Sequence, residues 1–239
     1  MPRNVPPPST NRRSLRWRLL TLAPALMLLL FHSGCASPLN VIMTLGYLIG
    51  GPPSIEPDFD AQTKKSLSEK KKTTLVLCYA PTELKWDFES VDDELGRHVT
   101  HRLNQNHCKV IDPNAVHAWL DENPDWDRPQ EIGAAFKVDY VVFVELSKFN
   151  LYEENSSNLF RGRSDVMVTV YEMDGEEGDV IYQKELASRF PIHAPISTAE
   201  MSAPQFRRTY ISRLSDEVGR LFYEYYTADD VGSGMISGL

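Results

Sequence analysis

The side chains best equipped for chemistry in this chain lie between positions 98 and 117: His98, His101, His107, Cys108 and His117. Imidazoles and thiolates are the usual ligands of zinc, and His98 and His101, three residues apart, would share one face of a helix. The same helical pattern turns Leu95, Val99 and Leu103 inward, which places His98 at the boundary and His101 in solvent. The expectation is solvated histidines, with no metal and no cofactor. Nucleophilic catalysis fares no better. His107 and Cys108 are neighbours in an extended stretch, and neighbours in a strand point to opposite faces, so they cannot form the base–nucleophile hydrogen bond. The acid pairs Asp92-Asp93 and Glu176-Glu177 fall at a helix start and in a turn, where carboxylates serve capping and solvation. No serine elbow and no phosphate-cradling glycine loop is present in the sequence. The chain is therefore expected not to be an enzyme.

Cys35 gives a stronger signal. Arg12, Arg13, Arg16 and Arg18 precede an uncharged apolar run from Leu19 to Phe31, which ends in Ser33-Gly34-Cys35-Ala36-Ser37. A basic segment, a short apolar segment and small residues are the parts of a secretory signal, and the run is shorter than the roughly 20 residues a spanning helix needs. Residues 1–34 are thus expected to be a signal peptide. Ser33-Gly34-Cys35 resembles the lipobox of bacterial lipoproteins, although His32 stands where that motif usually has leucine. The resemblance implies that the Cys35 thiol takes a diacylglycerol before cleavage. Two or more acyl chains would give stable membrane attachment, where one gives only marginal binding. Ala36-Ser37 lacks the aspartate that retains some lipoproteins at the inner membrane, so the resemblance favours an outer-membrane anchor facing the periplasm.

The full chain carries a formal net charge of −8, and residues 1–34 contain five arginines and no acid. The mature chain would hold 20 basic against 33 acidic residues, a net charge of −13. Such a chain is repelled by phosphate backbones and anionic headgroups, so nucleic acid is excluded as a partner and attachment falls to the lipid. Residues 35–72, with Pro52-Pro53 and Lys70-Lys71-Lys72, are expected to be the lipidated N-terminus and a flexible tether. Cys78 and Cys108, both in apolar strand-like runs, are read as free, buried thiols, although an oxidising compartment would allow them to pair.

The domain is expected over residues 73–226. Thr73 to Tyr79 reads as a buried strand. Phe88, Val91, Leu95, Val99 and Leu103 mark a helix, and Lys109 to Ile111 a short strand. Asp112-Pro113 and Asp127 with Pro129 each supply a cap and an early proline for two further helices. Val138 to Leu146, apolar on both sides, is expected to be the central strand. Gly162 to Met173 and Val180 to Arg189 alternate, and Asp174 to Asp179 joins them as a hairpin. A last helix spans Pro204 to Tyr226, and residues 227–239 form a disordered tail. The fold class is α/β: a mixed sheet, parallel in its first half and an antiparallel meander in its second, with flanking helices, in the order β-α-β-α-α-β-β-β-α.

That order, with Leu95 to Leu103 leading to Lys109-Val110-Ile111-Asp112 and Gly133 leading to Asp139-Tyr140-Val141-Val142, resembles a group of periplasmic lipoprotein domains. The group comprises the LpoB, CsgG and TolB N-terminal-domain-like proteins. The resemblance implies a non-enzymatic binding module whose partner is an envelope protein, accessory to cell-wall synthesis or secretion. The membrane-inserting hairpins of a secretion pore are missing from the sequence, so the pore function is not implied. From the residues themselves, Trp126 in the polar stretch Asn123 to Arg128, and Tyr152 and Phe160 in an expected loop from Asn150 to Arg163, are the partner-binding candidates. Trp86 and Trp119 stand beside them in interest, Trp119 at core spacing from Val116. The competing expectation is a periplasmic small-ligand-binding or hydrolytic domain with its cleft near His98 and Cys108.

Overall fold

The computed structural model describes residues 54–226; the expected signal peptide, the lipidation candidate Cys35 and the expected tail from residue 227 lie outside the described residues. In chain order the elements are β1 (Ser54–Ile55), α1 (Asp58–Thr63), β2 (Thr74–Tyr79), α2 (Thr82–Asp87), α3 (Val91–Gln105), α4 (Pro113–Glu122), α5 (Pro129–Phe136), β3 (Tyr140–Tyr152), β4 (Leu159–Asp174), β5 (Glu177–Phe190), β6 (Ile196–Ser197), α6 (Ala203–Gly219) and β7 (Tyr225–Tyr226). The main sheet runs β2-β3-β4-β5, with β2 and β3 parallel and the remainder antiparallel. The mixed α/β architecture is the one expected.

Strand alternation sorts the core into two layers. Val76, Tyr140, Val142, Val144 and Leu146 face α3 and α6, whose Val91, Leu95, Val99, Leu103, Tyr210, Ile211, Leu214 and Val218 are all buried. Leu75, Leu77, Val141 and Phe143 face the other way, onto Val116 of α4 and Ile132 of α5. β3 is buried on both faces, which makes it the central strand. Gly133 packs against it so closely that a Cβ would lie 2.6 Å from Val141 Cγ2.

Local chemistry explains most element boundaries. Asp112 caps α4 by accepting from the Asn114 amide at 2.8 Å, with Pro113 in the first turn. Asp127 does not repeat this at α5: Arg128 occupies the cap position with no side-chain cap bond, because the proline fixes the helix start one residue later than expected. The helix expected from Phe88 is α3, which begins at Val91 after Ser90 takes a left-handed conformation (φ 56°), and a separate short helix, α2, precedes it. Lys109 to Ile111 makes a single parallel bridge, Thr74 to Val110, rather than a full strand. The hairpin turn is two residues long, with Gly175 at φ 68° as such turns demand.

Two expectations need correction. The loop placed at Asn150 to Arg163 is mostly strand. β3 continues to Tyr152 and β4 begins at Leu159, because Phe149 and Leu151 alternate inward with Asn150 and Tyr152 outward. The flexible tether placed through residue 72 is partly folded: residues 54–72 belong to the compact unit that starts at Ser54. Phe59 and Leu67 are fully buried, and the Phe59 ring meets Tyr182 and Phe222 at 5.5 and 5.6 Å. The Phe59 amide donates to the Leu221 carbonyl at 3.0 Å, and β1 pairs with β7. α6 therefore stops at Gly219, and Leu221 and Phe222 turn inward to meet α1. Polar staples complete the attachment. Lys65 reaches Glu172 at 2.5 Å, and Asp139 accepts from the Thr73 amide at 2.8 Å and from Lys72 at 3.1 Å. Burial alone would raise the Asp139 pKa, but these donors outweigh it and hold the carboxyl below its ordinary range.

Candidate functional site

The sequence's metal and thiol candidates are dispersed. Among the described residues no group of three or more His, Cys, Asp or Glu side chains is placed to hold a metal ion. His101 and His107 are exposed, and burial lowers the pKa of half-buried His98. Cys78 and Cys108 are free, and burial pushes the Cys108 thiol up to about 12 and the Cys78 thiol up as well. A thiol so raised is not a nucleophile near neutral pH. Cys108 is 1% exposed, and neither it nor His98 lines the clefts described below, which corrects the expected cleft between them. In the Cys35→Ala protein, Cys108 should not react with a disulfide reagent at pH 8 until denaturant is added; rapid labelling of Cys108 in the native state would contradict this assignment.

Two clefts flank the short helix α2. The first, about 420 Å³, opens beyond the C-terminal end of β2, where parallel strands commonly place ligand crevices. It is lined by Tyr79, Lys85, Asp92, Asp93, His117 and Trp126 among others. α3 lies against β2 here, with Gly96 facing Cys78, and a Cβ at Gly96 would meet Cys78 Sγ at an ordinary contact distance of 3.5 Å. His117 lies between Asp93 at 3.7 Å and Asp121 at 3.6 Å, both beyond hydrogen-bond distance. The second cleft, about 990 Å³, is lined by Glu83, Asp87, Phe88, Phe149, Tyr152 and the 153–157 loop.

The three partner-binding candidates fare differently. Trp126 is half-buried in the wall of the first cleft, edge-on to Tyr79 at 6.3 Å and to Phe143 at 6.5 Å. Tyr152 is 38% exposed on the second cleft. Phe160 is not a surface residue. It is enclosed at 1% exposure, stacked on Phe206 at 4.9 Å and lying under Tyr152 at 5.2 Å, because β4 begins one residue earlier and turns it inward. Its role is to support Tyr152. The loop beyond is pinned by Arg161, which pairs with Glu153 at 2.9 Å and donates to the His193 carbonyl at 3.1 Å.

Trp86 is of interest from the sequence but has no assigned role there. It is 78% exposed on α2, a helix with no buried residue, between Lys85 of the first cleft and Asp87 of the second. A tryptophan in a Glu-Leu-Lys-Trp-Asp run that supplies no core position was the available signal. Trp119, by contrast, packs against the layer around Val116 and Ile132.

No known sequence family matches the chain, and no curated protein matches it in sequence. In fold the chain is similar to bacterial lipoprotein domains of known structure. One is a lipoprotein from Neisseria meningitidis (11% identity, covering 62% of this chain and 97% of that one, TM-score 0.37). Another is a minor lipoprotein from Acinetobacter baumannii (15% identity, 63% and 90% covered, TM-score 0.28). A third is the LpoB C-terminal domain from Salmonella enterica (11% identity, 55% and 98% covered, TM-score 0.25).

Proposed function

We propose that this chain is a lipid-anchored cell-envelope protein whose α/β domain binds an envelope protein without catalysis, in an accessory role to cell-wall synthesis or secretion. The observation that carries the binding reading is a set of exposed aromatics on one side of the domain: Tyr79 and Tyr152 line the two clefts beside α2, and Trp86 stands on α2 between them in the chain. Tyr and Trp at the surface, with apolar bodies and polar rims around them, are the side chains that dominate protein interfaces. The raised pKa of both thiols, with Cys108 buried and Cys78 partly buried, speaks against nucleophilic catalysis at the cysteines. The anchoring half of the reading rests on Ser33-Gly34-Cys35 at the end of an apolar run. Cys35→Ala should abolish incorporation of labelled palmitate and leave the chain unprocessed or soluble. Palmitate still entering the Cys35→Ala chain would overturn the lipoprotein reading.

A further inference from the structure

The partner's chemistry is legible in the charges around Trp86. The two clefts flanking α2 are lined by nine carboxylates, Glu89, Asp92, Asp93 and Asp121 on one side and Glu83, Asp87, Glu153, Glu154 and Asp165 on the other. Against them stand four permanent cations, Lys85, Arg97, Lys148 and Arg163. That imbalance exceeds the 33 acids to 25 bases of the whole chain, so the excess charge is concentrated on this face.

Each cation is already engaged within the face. Lys85 pairs with Asp92, Arg97 with Asp93 at 3.0 Å, Lys148 with Asp165 at 2.7 Å, and Arg163 with Glu153 and with Glu154 at 2.5 Å. Glu83, Asp87 and Glu89 are exposed and have no ion pair among the described residues, and Asp121 faces only His117. Glu83 and Asp87 share α2 with Trp86, and Glu89 follows just after its end. An exposed indole on a short helix that also carries unpaired carboxylates suits a guanidinium or ammonium group, which gains both cation–π contact and charge pairing.

We infer that α2 and its two clefts form a docking face for a lysine- and arginine-rich surface of a protein partner, with Trp86 as its anchor. This rests on the interaction reading above and names the partner's chemistry. An acidic face of this kind steers a basic partner during encounter, and rim charges of this exposure act mainly on association rate and salt dependence.

The test titrates the full chain with a deca-arginine peptide and, separately, a deca-glutamate peptide. Deca-arginine should bind, and its affinity should fall about tenfold or more between roughly 0.05 and 0.5 M salt as the Debye length shortens. Two triple variants remove equal charge. Glu83→Gln with Asp87→Asn and Glu89→Gln should weaken binding about tenfold or more, and Glu176→Gln with Glu177→Gln and Asp179→Asn, on the far hairpin, less than about twofold. Trp86→Ala should weaken it about fivefold. Should the first triple variant melt early, Glu83→Lys alone keeps the comparison. Equal loss in both triple variants, binding of deca-glutamate, or no binding of deca-arginine overturns the assignment. A protein captured from the envelope equally well by wild type and by the Trp86→Ala chain also overturns it, while leaving the interaction reading in place; failure to capture any protein would sink that reading instead.

Discussion

Val142→Asp is expected to leave the domain unfolded at ordinary temperatures. Val142 is fully buried in the middle of β3, paired in register with Val76 on one side and Val170 on the other, and its side chain enters the layer beneath α3 and α6. A carboxylate there would have no cation to meet, and an unpaired buried charge costs several kcal/mol, a large part of the roughly 5–15 kcal/mol that holds a domain folded. Circular dichroism should show lost structure, or a melting midpoint far below that of the wild type. Wild-type melting would refute the central position of β3.

Phe59→Ala should destabilise the domain by about 3–5 kcal/mol, the usual cost of emptying a phenylalanine site that cannot collapse. Phe59 packs its ring against Tyr140, Tyr182 and Phe222, so its removal opens a void where three elements meet. If residues 54–72 were a solvated tether, the same change would fall within about 0.5 kcal/mol. Urea denaturation of the two proteins separates these outcomes, and a shift in midpoint at constant slope would mark a true loss of stability.

The two predictions concern different degrees of legibility. β3 was readable because nine residues from Val138 to Leu146 are almost uniformly apolar, and such a run has few places to go other than between two layers. The stripe Val91, Leu95, Val99 and Leu103 was readable because a helix with one apolar face needs no distant partner to announce itself. Phe59 was not readable in this way. It is one aromatic in a polar stretch, and its burial depends on Leu221, Phe222 and Tyr182, more than a hundred residues away. Residues 220–226 were misread for the same reason, since Leu221 and Phe222 continue the helical spacing of α6 while their actual partner is α1. The loop after Asn150 was over-extended because its polar composition hid a period-two pattern that the inward Phe149, Leu151 and Phe160 settle.

The site divides along the same line. Trp126 was found because it stands in a polar stretch, yet it is half-buried against Phe143, so truncating it would cost stability as well as any contact. Trp86 drew interest as an aromatic but received no role, because the six-residue helix α2 that carries it has no apolar stripe to announce it. The break at Ser90 makes α2 a separate surface turn, and that break is a left-handed backbone turn at a serine, which no hydrophobic pattern records. Tyr152 was found with the wrong support. It stands at the end of a strand over the buried Phe160 ring rather than in a loop beside it.

The most direct measurement of the central claim is crosslinking of the intact chain in its own envelope membranes, followed by pull-down and identification of what is retained. The account predicts a protein partner recovered with the wild-type chain from the membrane fraction, and its loss with Cys35→Ala, which would remove the chain from the membrane where that partner resides. Recovery of no protein above the level of an untagged envelope, together with turnover of a cell-wall or ester substrate that disappears on changing Cys108 or His101, would contradict it.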